Sequence, residues 1–177
     1  MADADEPVEP VGTASPTGRI AVIRVVLTVA VAAALLAASM PALETARVTT
    51  TAERLDSEVD RIERATARVV SGSIAVEDPS LAARAGVTVR APSGVTAATI
   101  HRLALVEVDG PRPDSRIALR YRPAGGRDRY LPLRVDAVPA KIDLVTGVID
   151  LRPGGESRLE LRYVDDGGPT VRITRVG

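Results

Sequence analysis

Cysteine, phenylalanine and tryptophan are all absent from this chain of 177 residues. Without cysteine there is no disulfide framework, zinc ribbon or thiol nucleophile. With Tyr121, Tyr130 and Tyr163 as its only aromatics, the chain offers no stacking platform for bases or sugars. A core has to be assembled from Leu, Val, Ile and Ala. Histidine occurs once, at His101. One histidine cannot make a multi-histidine metal site, and no serine sits in a nucleophile elbow, so the reading favours a structural or surface histidine. A P-loop, a G-x-G-x-x-G and an H-E-x-x-H are also missing. Asp165-Asp166-Gly167-Gly168 lacks the periodic oxygen ligands of a calcium loop and reads as a hairpin turn.

Excess charge of either sign is missing as well. Lys+Arg and Asp+Glu both number 23, which argues against a dedicated nucleic-acid binder and against a disordered acidic protein. Lysine is reduced to Lys141, and every other basic residue is arginine. Together with heavy Ala, Val and Gly usage, this reads as a GC-rich genome rather than as function. No enzyme, cofactor or metal site is expected.

The first feature present is a long apolar run. Residues 1–18 carry four acids and no base, with several Pro, Gly, Ser and Thr, and are expected to be a disordered tail. Residues 19–43 are expected to be a transmembrane anchor. Val25 to Leu43 is 19 residues without a charge, about 28 Å as a helix and close to the hydrocarbon thickness of a bilayer. Two alternatives stand beside the anchor. One is a buried core helix. The other is a cleaved secretory signal, with Arg19 and Arg24 before the apolar region and Ala37-Ala38-Ser39 as a small-x-small site. The run is longer than a usual signal core, and helix-forming sequence continues past it, so the anchor is favoured. Arg24 abuts the run on one side and Glu44 comes first on the other, which places the N-terminus in the cytoplasm and the remainder outside.

Residues 44–70 lack Gly and Pro. Apolar or small residues recur at Val48, Ala52, Leu55, Val59, Ile62, Thr66 and Val69, a stripe on one helical face. Arg54, Asp56, Glu58, Asp60, Arg61, Glu63, Arg64 and Arg68 line the other face. Leu55, Val59 and Ile62 are the expected organising contact. Packing of this amphipathic helix on its own domain is favoured over a coiled coil. Pro41 is expected to kink the helix near the junction.

Residues 71–86 read as a Pro/Gly-punctuated linker, and residues 87–177 as a β domain. Ile117/Leu119/Tyr121, Leu131/Leu133/Val135, Leu159/Leu161/Tyr163 and Val171/Ile173 alternate with polar or small residues, as strands with one wet face do. Residues 100–109 and 142–151 alternate less cleanly and are placed more centrally. Turns are expected at 110–115, 123–128, 152–157 and 165–169, where glycine pairs supply positive φ for hairpins. The fold class is therefore α+β: a transmembrane helix, an amphipathic helix, then a small antiparallel β-sandwich or curved sheet. Arg120, Arg122, Arg127 and Arg129 cluster around one expected hairpin. They read either as a basic patch for anionic lipid heads, a glycan acid or an acidic partner face, or, the favoured reading, as an ordinary solvated sheet face.

An apolar helix running into an amphipathic helix and then a β domain is the layout of type IV pilin-like proteins. More narrowly, IRVVLTVAVAAALLAASMPALETARV followed by AERLDSEVDRIERA resembles a family of haloarchaeal single-pass membrane proteins encoded among components of pilus-like secretion systems. The resemblance covers residues 22 to about 70 and is general in the β part. It implies an accessory role in a pilus or secretion assembly, with the bilayer and other membrane or pilus-like proteins as partners, and it supplies no functional residues. Family members begin near this IRVVL, so translation from a valine-type start at Val22 is a further expectation.

Overall fold

The computed structural model describes residues 16–108, 116–134 and 138–177. Most of the expected tail, the expected turn at 110–115 and Val135 lie outside the described residues. The chain divides into two units, residues 1–43 and 44–177, and these are taken one at a time.

Helix α1 is Pro16–Ser71 and contains Pro41. In the first unit, its side chains from Val22 to Leu43 are all exposed. The most apolar 18-residue window has a mean hydropathy of 2.3 with none of it buried. The two hydroxyls in this stretch are satisfied within the helix: Thr28 Oγ1 donates to Arg24 O at 2.9 Å, and Ser39 Oγ to Leu36 O at 2.9 Å. Such local bonds leave no hydroxyl in need of water in an apolar surrounding.

The second unit begins with the remainder of α1, which ends where Gly72 N donates to Arg68 O at 3.1 Å. Among the described residues eight strands follow: β1 (Ala83–Arg90), β2 (Ile100–Val108), β3 (Arg116–Pro123), β4 (Arg129–Pro132), β5 (Lys141–Leu144), β6 (Val148–Leu151), β7 (Glu156–Asp165) and β8 (Pro169–Arg175). They form two four-stranded sheets, ordered β1-β7-β8-β5 and β4-β3-β2-β6. Leu159, Leu161, Val171 and Ile173 of the first sheet share one buried cluster with Leu103, Leu105, Leu119 and Tyr121 of the second. The core is therefore the inner faces of both sheets, as the alternation of β3, β7 and β8 requires.

Several elements depart from the sequence reading. Residues 142–151 do not form one central strand. They make two four-residue strands, β5 and β6, at the edges of different sheets. The turn between them closes with Gly147 N donating to Leu144 O at 2.7 Å, with Gly147 at φ 69°. The sheets are also not wholly antiparallel, because β5 runs parallel to β8. RPGGES is not a hairpin: it carries the chain from β6 in one sheet to β7 in the other. The expected linker is partly built. Val76 bridges Val164, and β1 already begins at Ala83. β2, by contrast, is internal to its sheet as expected, with Leu103 to Val106 all buried.

Candidate functional site

The helix of the second unit seals one side of the sandwich. Leu55 and Ile62 are 0% exposed and Val59 2%, and all three belong to the core cluster. Thr66 is equally buried and returns its hydroxyl to Ile62 O at 3.0 Å. From Leu55 to Val69 the apolar stripe is thus spent on the domain's own core.

What periodicity could not show is the job of the helix's polar residues. Ala91 N donates to Gly155 O, at the end of the β1–β7 ladder. By the alternation of an antiparallel pair, the peptide groups of Arg84, Gly86, Thr88 and Arg90 then face away from β7. The helix covers two of these open positions. Glu58 Oε2 accepts from Arg90 N at 3.2 Å, and Arg61 Nη1 donates to Thr88 O at 3.3 Å while pairing with Glu58 at 3.3 Å. Glu63 accepts from Arg134 N just beyond β4, the edge of the other sheet. Thr51 Oγ1 accepts from Ala98 N at 2.8 Å and donates to Arg47 O at 2.8 Å. Arg54 reaches Thr96 Oγ1 at 3.3 Å. Side chains of one helix therefore cover part of one edge in each sheet, β1 at Thr88 and Arg90 and the stretch just past β4 at Arg134, where open backbone groups otherwise invite pairing with another chain.

The arginine group around the β3–β4 hairpin is split by register. Arg120 pairs with Tyr130 and Tyr121 with Arg129, so Arg120 and Arg122 share one face while Arg129 belongs to the other. Arg127 lies exposed in the turn. Arg122 clamps Asp128 with two bonds, of 2.7 and 2.8 Å. This bond is the main reason the Asp128 carboxyl titrates below the ordinary range; the charges of Arg122, Arg120 and Arg102 add to it against a desolvation penalty. The Arg122 guanidinium is held correspondingly more basic, first by that same bond. Part of the expected patch is thus internally neutralised, and Arg120 keeps a buried Nε with no hydrogen-bond partner among the described residues.

His101 is exposed on β2. Among the described residues, no three His, Asp or Glu side chains gather into a group able to hold a metal ion. Asp165-Asp166-Gly167-Gly168 is the β7–β8 hairpin, with Asp165 Oδ1 accepting from Gly168 N at 2.8 Å and Gly167 at φ 67°.

These elements define a protein with one N-terminal helix long and apolar enough to cross a membrane and an α+β domain of two packed sheets. Within that class, the chain belongs to the family described as Domain of unknown function (DUF7311), which it matches over residues 22–176. No curated protein and no solved structure matches it.

Proposed function

We propose that this chain is a non-enzymatic, single-pass membrane protein. Residues 19–43 anchor it, its N-terminus is cytoplasmic, and its β domain stands outside as a structural or accessory part of a pilus-like or secretion assembly. The observation that carries this reading is the contrast along α1. The side chains of residues 22–43 are exposed, and from Val25 on they are uncharged and mostly apolar, whereas the stripe at Leu55, Val59 and Ile62 is spent on the sandwich. Exposed apolar surface on this scale needs a partner, and a bilayer fits its length. Orientation is supported by Arg24 next to the apolar run and Glu44 beyond it. The assembly role is supported by the pilin-like layout and by the resemblance of residues 22–70 to membrane proteins of pilus-like loci.

The test is a carbonate wash of native membranes followed by cross-linking. The reading expects the chain to stay in the pellet and to cross-link to other membrane proteins through its β domain. Release into the soluble fraction would favour a secreted module whose signal has been removed.

A further inference from the structure

A cleft of about 190 Å³ lies between α1 and the free edge of β1. Arg61, Arg64 and Arg68 line it from the helix, and Gly86, Thr88 and Arg90 from the strand. Two of the four arginines are already engaged, Arg61 with Glu58 and Arg90 with Glu156 at 2.8 Å. Arg64 and Arg68 are exposed and have no carboxylate partner among the described residues. Their spacing sets both on the face turned to β1.

Gly86 completes the arrangement. Its peptide group faces away from β7, by the parity that puts Arg90 N on Glu58 and Thr88 O on Arg61. It has no hydrogen-bond partner among the described residues. A Cβ built on Gly86 would meet nothing within 4 Å, so the backbone is open to close approach by a ligand. The hollow continues past Gly86 onto the outer face of the sheet, between Arg84 and Arg158. Glu160, opposite Gly86 in the ladder, also lines that hollow, and its carboxylate is engaged by Arg162.

We propose that this cleft binds an oxyanion, a phosphoryl or carboxylate group, through Arg64 and Arg68, with the Gly86 N–H as a third donor. Guanidinium groups favour such ligands because their planar forks match two oxygens at once. The cleft is sized for one such group rather than for an added strand, because the helix already contacts β1 at Thr88 and Arg90. The proposal concerns the second unit alone and does not depend on whether residues 22–43 are retained.

The experiment is a titration of the full chain, in non-ionic detergent, with inorganic phosphate and separately with acetate. The Gly86 amide is followed by NMR while chloride holds ionic strength constant. A saturable Gly86 shift is expected, with affinity weakened about tenfold or more in R64Q/R68Q and unchanged in R127Q. Saturation by phosphate alone assigns a phosphoryl group, and saturation by both anions assigns the wider carboxylate class. The single variants R64Q and R68Q, each expected to weaken binding, serve if the double variant does not fold. A non-saturating drift that chloride reproduces, or equal binding by wild type and the arginine variants, overturns the proposal.

Discussion

The backbone N–H of Arg90, on the edge strand β1, donates to the Glu58 carboxylate of α1 across 3.2 Å. Glu58 is only 8% exposed and also meets Arg61. One acid thus ties a helix, an edge strand and a guanidinium together. E58A leaves the part-buried Arg90 N–H without its partner and should cost about 1–3 kcal/mol. E58Q keeps an acceptor and should cost less. Urea denaturation midpoints measure both, and equal loss in the two variants would deny the hydrogen bond its role.

Leu55 sits at the centre of the helix–sandwich contact with no exposed surface. L55A should destabilise the domain by about 2–5 kcal/mol through lost burial and a residual cavity. L55D/V59D should abolish docking of the helix altogether. Limited proteolysis reads the result, through new cleavage sites between residues 44 and 71.

Thr51 holds the loop between β1 and β2 through Ala98 N. T51V preserves shape and removes the acceptor, leaving a part-buried N–H without its partner. A loss of about 1–3 kcal/mol is expected, with faster hydrogen exchange confined to the loop around Ala98.

Asp128 titrates below the ordinary carboxylate range because the Arg122 bond and the neighbouring arginine charges favour its ionised form. Its folded value is depressed, so the stability it contributes is fully present above the unfolded value, about 3.9. That stability is lost as pH falls through the lower folded value. NMR titration of the Asp128 carboxyl should show this low midpoint in wild type. In R122Q the midpoint should move back toward the ordinary value.

Much of the architecture could be read from side-chain period. Leu159, Leu161 and Tyr163 alternate with Arg158, Glu160 and Arg162, and the structure buries the first set. The crowded apolar run of β2 is internal to its sheet. Residues 142–151 misled because β5 and β6 are each four residues long. The single Gly147 between them does not announce that the chain changes sheets. The division of the arginine group between two faces was hidden for a reason of register. Arg120 and Arg129 could share a face only if the hairpin paired one residue out of step, and turn sequence alone does not fix that. The polar work of the helix was the least visible. Glu58, Arg61 and Glu63 look like a solvated face in sequence, and only the placement of β1 and Arg134 shows what they bond.

The central claim is that the apolar half of α1 stays in the native protein as an anchor. Trypsin cuts after Arg24 and Arg47, so one peptide, residues 25–47, spans the whole stretch. Mass spectrometry of the carbonate-washed membrane fraction should find that peptide intact. Its absence, with the native chain instead recovered soluble and beginning near Met40 or Leu43, would contradict the anchor and make the stretch a removed signal.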